Sequence, residues 1–286
     1  ELLQQAADKC RDYGINPTII NPKYRNHIDS YCYIASIQTL RNRMKKPQYQ
    51  EWAANVKLVI IDEAHKATFK PVKDWFPNAF RIGATATPLS LKNHDLSEHY
   101  KKIVTGSTIE ALQNLTFLST CEYYGAAADF TEVKTKGGEF ESNDLFSKMD
   151  QTTVYLGLMK IIKQHAHDLK TLVFCVNVQH SKNTCEELTK EGYKAAHIDG
   201  TTPTRERKEI LKQFSDGIIT HLCNAEVLTT GYDEPTIQCI VLNRATKSLP
   251  LYLQMVGRGS RVTETKNSFK VLDMGGNIKR HNYWHL

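Results

Sequence analysis

Two adjacent carboxylates, Asp62 and Glu63, stand at the end of an apolar run in the first quarter of the 286-residue sequence. Residues 56–62 (VKLVIID) have the pattern of a buried strand, and open parallel sheets bind ligands at the carboxyl ends of their strands. An acid there can hold Mg²⁺, which neutralises nucleotide phosphates, and the next acid can orient and deprotonate an attacking water. A solvated charged turn would contain the same two residues, so the pair needs support from other motifs.

Two arginines near the other end of the chain, Arg258 and Arg261, lie three residues apart. That spacing places them near each other on one face of a predicted helix. The planar fork of an arginine matches phosphate oxygens, so these two side chains are candidates for binding a phosphate group. Two solvated arginines on a helix surface are the alternative interpretation.

Short apolar runs alternate with helical patterns along most of the sequence. Such alternation predicts an α/β fold whose parallel sheets are covered on both faces. The predicted strands are residues 56–62, 79–84, 171–176, 195–198, 218–223, 237–242 and 269–272. The predicted helices are residues 153–167, 181–191 and 203–214.

The alternation breaks over residues 121–150, which are polar and contain the turn signal Gly137-Gly138. We therefore predict two α/β domains of similar architecture, residues 1–120 and 151–286, with 121–150 as an inter-domain linker or hairpin.

The predicted linker contains a candidate hairpin with two lysines. Lys134 and Lys136 lie two residues apart, so in an extended strand they face the same side. Gly137-Gly138 then offers a tight turn, and Phe140 follows. One hypothesis is a functional inter-domain element that sets two ammonium groups beside a phosphate backbone. The other is a solvated linker whose lysines keep it soluble.

Composition restricts the class of protein. The hydrophobic content of 41% and charged content of 24% are typical of a soluble globular protein, and no apolar run is long enough to span a bilayer. The formal net charge of +6 slightly favours a polyanionic partner. The seven cysteines form no C-x-x-C pair and are interpreted as reduced, mostly buried thiols of a cytosolic protein.

The motifs, taken in order, resemble those of superfamily 2 helicases of the DEAD/DEAH-box type. Residues 61–65 (IDEAH) resemble the Walker B box and residues 83–88 (GATATP) resemble motif III. Residues 224–233 (NAEVLTTGYD) resemble motif V, and residues 254–261 (QMVGRGSR) match the Q-x-x-G-R-x-x-R pattern of motif VI.

Further strings resemble the RadD-like ATP-dependent DNA helicases of bacteria and their phages. These strings are residues 199–203 (DGTTP), 247–249 (KSL), 251–259 (LYLQMVGRG) and 272–277 (LDMGGN), followed by Arg280-His281. Together with the four motifs, they spread the resemblance over nearly the whole chain.

The resemblance implies two RecA-like domains with parallel sheets, the first truncated at its N-terminus, and a nucleotide cleft between them that uses ATP and Mg²⁺. It also assigns roles to individual residues. The implied catalytic residues are Glu63, Arg258 and Arg261; the nucleotide-binding residues are Asp62 (also the Mg²⁺ ligand), Gly231, Asp233 and Gln254; the coupling residues are His65, Thr85 and Thr87; and the nucleic-acid contacts are Gln38, Thr39 and Thr230.

One expected motif is missing from the sequence. No G-x-x-x-x-G-K-[ST] phosphate-binding loop occurs in the 286 residues, and the resemblance implies that it lies upstream of Glu1. We therefore expect these residues by themselves to bind ATP weakly and to hydrolyse it negligibly.

The sequence thus predicts an ATP-dependent helicase or translocase, acting on DNA according to the subfamily resemblance and located in the cytoplasm of a bacterial or phage-infected cell. Two alternatives remain open: the translocase subunit of a restriction system, which shares these motifs, and a hydrolysis-deficient module that binds nucleic acid. Asp62, Glu63, Arg258 and Arg261 are all present, which argues against the second alternative. A membrane partner is not expected, and the sequence does not indicate an oligomeric state.

Overall fold

The computed structural model describes residues 2–20, 30–65, 67–69, 71–86, 96–125, 129–229 and 232–286. The chain divides into two compact units, Glu1–Thr105 (unit 1) and Gly106–Leu286 (unit 2), and each is described by itself.

Unit 1 is built around two parallel strands, β3 and β4, in which Ile61 pairs with Gly83. A second parallel pair, β1 and β2, joins Thr18 to Tyr33. The helices of the described part are α1 (Leu2–Asp12), α2 (Ile37–Arg43), α3 (Pro47–Asn55) and α4 (Val72–Trp75), and the strands are β1 (Thr18–Ile19), β2 (Tyr33–Ile34), β3 (Leu58–Ile61) and β4 (Phe80–Gly83).

The helices of unit 1 begin where local chemistry favours a helix start. Ser36 caps α2 because its side chain accepts a hydrogen bond from the backbone N–H of Thr39, and α3 starts with Pro47, whose missing N–H costs nothing in a first turn. Trp52 of α3 then meets three other aromatic rings edge-on. This core supports the strand that ends at Asp62.

The prediction of a fully buried first strand is only half right. Ile61 is buried, but Leu58 and Ile60 are 50% and 67% exposed. Their partners across β4, Phe80 and Ile82, are exposed as well. Successive strand residues point to opposite faces, and the described residues of unit 1 cover one face of this two-stranded sheet.

Unit 2 contains a six-stranded, all-parallel sheet in the order β5-β12-β11-β8-β10-β9. The strands are β5 (Thr120–Gly125), β8 (Thr171–Cys175), β9 (Ala195–Ile198), β10 (His221–Asn224), β11 (Cys239–Asn243) and β12 (Ser268–Asp273), with a separate hairpin of β6 (Thr135–Lys136) and β7 (Glu139–Phe140). The helices are α5 (Ile109–Asn114), α6 (Ser142–Met149), α7 (Thr152–His165), α8 (Val178–Lys190), α9 (Thr204–Ser215), α10 (Leu249–Gly257) and α11 (Asn277–His281).

Both faces of the large sheet are covered, as the alternation of elements predicts. Val173 and Cys175 of β8 face a core that includes Leu188 of α8, whereas Leu172 and Phe174 of the same strand face a core that includes Tyr252 of α10. The period-2 alternation of a strand therefore supplies both cores from one run of apolar residues.

The compact units of the structure divide the chain at a different place from the predicted domain boundaries. Residues 121–150 are part of unit 2 rather than a linker, because β5 pairs with β12 along its whole length and Leu145 and Met149 of α6 are buried in the core. The division of the chain lies at Thr105, not at residue 120. The polar composition of the segment concealed this packing, because only a few apolar side chains, such as Phe130, Leu145 and Met149, are buried in the core.

The predicted hairpin is present. Lys136 pairs with Glu139 across an antiparallel ladder, and both turn glycines have positive φ, 64° at Gly137 and 87° at Gly138. Two positive φ values are what a tight two-residue hairpin turn of the I′ type requires, and glycine adopts them without steric cost.

Two further observations concern the length of the helices and the state of the cysteines. In the ranges given above, no helix has both the length and the apolar character needed to cross a bilayer. All seven cysteines are free thiols, and Cys175, Cys223 and Cys239 are buried.

Candidate functional site

The two carboxylates predicted from the sequence lie in a tight turn at the carboxyl end of β3. Glu63 has a left-handed backbone conformation (φ 53°), and its N–H donates a hydrogen bond of 2.9 Å to Oδ1 of Asp62. The turn is tied to the end of β4, because Ala64 N–H donates to the carbonyl of Ala84 (3.0 Å). A non-glycine residue held at positive φ is strained, and such strain clusters at functional sites.

Three residues assigned to two different motifs meet beside this turn. Nδ1 of His65 lies 2.8 Å from Oγ1 of Thr85 and 3.4 Å from Oε2 of Glu63. The side chain of His65 is 11% exposed and that of Glu63 is 29% exposed. One nitrogen of His65 therefore lies between the candidate base and the motif III segment, hydrogen-bonded to the Thr85 hydroxyl and within ion-pair distance of the Glu63 carboxylate. Thr87, the other predicted coupling residue, lies outside the described residues.

Tyr100 is a supporting residue that the sequence interpretation missed. A Cβ at Gly83 would lie 2.5 Å from a ring carbon of Tyr100 and 2.8 Å from Cβ of Ala64, so only glycine fits between them. Burial raises the pKa of the Tyr100 hydroxyl above its usual value. The glycine that opens GATATP is the signal of this close approach, but it does not indicate which residue approaches.

Asp62 has the chemistry expected of a Mg²⁺ ligand. It is exposed at the carboxyl end of a parallel strand, and its carboxylate offers the hard oxygen donors that Mg²⁺ prefers. The carboxylate of Asp62 is therefore a suitable ligand for the divalent cation that the resemblance implies.

Arg258 has a structural position in unit 2. Its two Nη atoms donate hydrogen bonds to the backbone carbonyls of Tyr232 and of Thr229, the latter at 2.7 Å. The guanidinium therefore fixes the segment that resembles motif V. Helix α10 ends at Gly257 and Arg258 is its cap, so the prediction that Arg258 and Arg261 share one helical face is wrong.

Arg261 lies beyond the helix and reaches solvent. Its side chain is 59% exposed, and its Nε donates a hydrogen bond of 3.2 Å to Oδ1 of Asp233, which is equally exposed. The backbone at Arg261 is held by the hydroxyl of Ser119, which donates to its carbonyl at 2.8 Å. Of the two motif VI arginines, Arg261 is thus the one with an accessible guanidinium on a fixed backbone.

The other predicted contacts differ in what the structure shows of them. Gln38 is exposed on α2, whereas Thr39 is buried and its hydroxyl lies 2.9 Å from the capping hydroxyl of Ser36. Gln254 is half-buried on α10. Thr230 and Gly231 lie outside the described residues.

Lys266 is a second supporting residue that the sequence did not reveal. Its buried amine donates hydrogen bonds to the carbonyls of Pro235 (3.0 Å), Ile237 (2.7 Å) and Gly259 (2.7 Å). These bonds join the residues just after the motif V segment to the motif VI segment. Burial lowers the pKa of Lys266 to about 8. No pattern in the sequence distinguishes this lysine from an exposed one.

Asp199 organises the DGTTP segment after β9. One oxygen accepts hydrogen bonds from the N–H groups of Thr201 (2.6 Å) and Thr202 (3.1 Å), and the other lies 2.9 Å from Nε2 of His197. The bonds from Thr201 and His197 hold the pKa of Asp199 well below its ordinary value.

Two family models match the chain, one in each unit. The model described as the helicase conserved C-terminal domain matches residues 153–263, and the model described as the type III restriction enzyme res subunit matches residues 1–90. The IRC3 protein of Saccharomyces cerevisiae, which bears the name of an ATP-dependent helicase, is 30% identical over 262 residues, or 87% of this chain.

The chain belongs to the superfamily 2 helicases.

This superfamily 2 chain also matches a 51.5 kDa protein of a Lactococcus phage, with 29% identity over 215 residues and 74% of the chain. It spans 47% of the phage protein and 37% of IRC3, so it covers less than half of either.

The fold agrees with this assignment. A fragment of a protein described as the HsdR subunit of a type I restriction enzyme, from Vibrio vulnificus YJ016, superposes with a TM-score of 0.72 at 24% identity. The match covers 93% of this chain and 53% of that one. The superfamily 2 chain therefore has the RecA-like α/β architecture expected from its motifs.

Proposed function

We propose that the protein containing this chain is an ATP-dependent nucleic-acid helicase or translocase. The observation that carries the proposal is the cluster of Glu63, His65 and Thr85, in which residues of two separate motifs come within hydrogen-bonding distance. An acid that only ends a solvated turn has no need of a largely enclosed imidazole that lies between it and a second motif.

In this proposal the residues of unit 1 carry out the hydrolytic step. Asp62 is the Mg²⁺ ligand, and the bound cation neutralises charge on the nucleotide phosphates. Glu63 accepts the proton of the attacking water. His65 couples Glu63 to the motif III segment through Thr85. Thr87 belongs to the same segment and has the same proposed role.

The residues of unit 2 receive their proposed roles from the motifs that they match. Arg261 stabilises negative charge on the transferred phosphoryl group, because its exposed planar guanidinium can donate two hydrogen bonds at once. Asp233 holds Arg261 in the absence of nucleotide. Arg258 is assigned a positioning role through Thr229 and Tyr232, and Gly231 and Gln254 are assigned to the nucleotide by resemblance.

The proposed polymer is DNA, on the basis of the RadD-like strings. Gln38, Thr39 and Thr230 are the proposed backbone contacts, which position a strand without reading its sequence. Because Thr39 already contacts Ser36, Gln38 is the stronger of the two candidates on α2. The cytoplasm of a bacterial or phage-infected cell is the proposed location.

The experiment that tests the proposal measures ATP hydrolysis by the intact protein with single-stranded DNA, double-stranded DNA or RNA of equal length. We expect hydrolysis that depends on Mg²⁺ and is stimulated most by DNA. If only RNA stimulated ATP hydrolysis, the proposed polymer would be RNA instead of DNA. ATP binding without hydrolysis under all three conditions would favour the hydrolysis-deficient binding module.

The same assay applied to the 286 residues alone tests the expectation about the phosphate-binding loop. The sequence contains no such motif, so we propose that these residues turn over ATP negligibly. Vigorous DNA-stimulated hydrolysis by them would contradict that proposal.

The translocase subunit of a restriction system is the second candidate. The match of residues 1–90 to the res subunit model favours it specifically. A triplex-displacement assay combined with electrophoresis of the DNA separates the two candidates. DNA cleavage coupled to translocation would support the restriction role, and strand separation without cleavage would support the helicase.

A further inference from the structure

Arg244 directly follows β11, at the carboxyl end of a central strand in unit 2. The residue is 9% exposed, and its enclosed Nε makes no hydrogen bond. Within the described ranges, no carboxylate oxygen lies within 4.0 Å of the guanidinium. A buried cation without such partners is costly, and a native structure that retains one calls for a ligand.

The backbone around Arg244, in contrast, is held firmly. The side chain of Asn277 donates to the carbonyl of Arg244 (2.8 Å) and accepts from the N–H of Thr246 (2.9 Å). A Cβ at Gly275 would lie 2.1 Å from the Arg244 carbonyl oxygen, so the loop after β12 passes directly against it. The guanidinium, which has no carboxylate partner among the described residues, therefore belongs to a fixed loop.

The topology of the sheet places Arg244 at a crevice. β8 and β11 are neighbours, but β8 continues into α8, which packs on one face of the sheet, and β11 continues into α10, which packs on the other. Neighbouring parallel strands whose connections leave for opposite faces open a crevice at their carboxyl ends, where open α/β sheets bind ligands. The position and the missing partners of Arg244 are independent observations that agree.

The charges near Arg244 indicate an anion that competes with a carboxylate. Burial lowers the pKa of Arg244, and Glu139 and Glu226 act in the opposite direction. The carboxylate of Glu139 is already engaged, because it accepts hydrogen bonds from the Thr246 hydroxyl and the Lys247 N–H. Glu226 is exposed and has a left-handed backbone (φ 64°), so it supplies a longer-range counter-charge that a bound anion can replace.

We propose that Arg244 binds one phosphate of the sugar–phosphate backbone of the nucleic-acid strand. The inference rests on the proposed function and adds a contact outside the residues assigned above. The adjacent Lys247 is exposed, and the exposed hairpin lysines Lys134 and Lys136 belong to the element that Glu139 ties to the same loop. This run of positive charge suits an extended polyanion better than a single small anion.

The test is a fluorescence-anisotropy titration of a labelled oligothymidylate with the intact protein at several KCl concentrations. We expect Arg244→Met to weaken binding by about tenfold and to reduce the slope of log K against log[salt] by about 0.7, the value for one phosphate on a single strand. Arg244→Lys should retain most of the slope. Glu226→Gln should strengthen binding, because it removes the competing carboxylate.

Lys190→Met is the matched control. Lys190 is an exposed lysine at the last residue of α8, where the helix leads to the opposite edge of the sheet, so its loss should leave the slope unchanged. A wild-type slope in Arg244→Met would overturn the inference while leaving the proposed function intact. Failure of the wild type to bind DNA and RNA oligonucleotides would overturn both.

Two further outcomes are informative. One decides whether the anion bound by Arg244 is a nucleic-acid phosphate or free phosphate, and the other decides whether Arg244 binds an anion or only stabilises the fold. The first outcome combines two measurements. If inorganic phosphate raises the melting temperature of the wild type but not of Arg244→Met, and the two proteins have equal salt slopes for DNA binding, the site binds free phosphate. That result would overturn the proposal. If Arg244→Met does not fold, Glu226→Gln decides: weaker DNA binding would show that Arg244 serves as an ion-pair partner, and stronger binding would support the phosphate contact.

Discussion

The backbone conformation of Glu63 and its hydrogen bond to Asp62 orient the Glu63 side chain. Its left-handed conformation turns the side chain from the strand direction toward His65, and the hydrogen bond from its N–H to Asp62 holds that turn. The carboxylate is thereby fixed before any substrate binds, which is the arrangement that general-base catalysis favours.

Glu63→Gln in the intact protein should therefore preserve nucleotide binding and abolish turnover. The amide keeps the shape and most of the contacts but cannot accept the proton, so the hydrolysis rate should fall by at least ~10²-fold. Binding of a fluorescent nucleotide and DNA-stimulated ATP hydrolysis measure the two effects separately. Glu51→Gln, on the exposed surface of α3, is the matched control. Normal turnover in Glu63→Gln would exclude this residue as the base.

The two motif VI arginines should separate in their effects. Arg261→Ala should reduce single-turnover hydrolysis by ~10³-fold if it is the phosphate-contacting arginine, with unchanged stability because its side chain is largely exposed. Arg258→Ala should lower the free energy of unfolding by ~1–3 kcal/mol, because the carbonyls of Thr229 and Tyr232 lose their donor. Denaturant titrations with hydrolysis assays on both variants provide the comparison. If Arg261→Ala lowered only the stability and Arg258→Ala lowered only hydrolysis, Arg258 would be the phosphate-contacting arginine and Arg261 the structural one.

At the scale of elements, the β6–β7 hairpin is docked on unit 2. The carboxylate of Glu139 accepts hydrogen bonds from Thr246 and Lys247, and the buried ring of Phe140 has Lys247 Nζ and Arg280 Cζ each 5.0 Å from its centroid. The turn and both lysines remain exposed. The hairpin is thus a fixed element, which is a precondition for the functional hypothesis but does not decide it.

The double variant Lys134→Ala/Lys136→Ala should weaken DNA binding or abolish unwinding while basal ATP hydrolysis continues. The reason is that strand alternation places both ammonium groups on the side opposite the buried Phe140. The control removes two exposed lysines elsewhere, Lys190→Ala/Lys212→Ala. Equal binding, stimulation and unwinding in the two double variants would leave the hairpin without a role in nucleic-acid contact.

At the scale of the whole molecule, the boundary at Thr105 has a direct consequence for stability. Residues 106–286 should unfold cooperatively as an isolated fragment, because they contain the complete six-stranded sheet and both of its cores. Residues 151–286 should unfold at lower denaturant or aggregate, because without β5 the edge of β12 is unpaired and without α6 part of the core is exposed. Urea titrations of the two fragments followed by circular dichroism test this. Equal midpoints would restore the boundary at residue 150.

The sequence by itself determined the superfamily, the α/β fold class, the hairpin turn and the position of Asp62 and Glu63 at the end of β3. Those features depend on local chemistry: strand periodicity, glycines at positive φ, and motif residues at fixed spacing. The sequence did not indicate that β5 and α6 pack within unit 2, because composition averages over a segment, whereas burial depends on the few apolar side chains that face inward.

Only the tertiary structure decided which equivalent-looking residues differ. Arg258 is tied to backbone carbonyls and Arg261 is exposed. Lys266 is buried against three carbonyls, whereas Arg244 is enclosed and its Nε has no hydrogen-bond partner among the described residues. In the sequence, each of these residues is simply a basic residue in a motif or a loop, and nothing distinguishes one from another. Their chemistry is set by which carbonyls, carboxylates and solvent surround the charge, and residues far apart in the chain supply those surroundings.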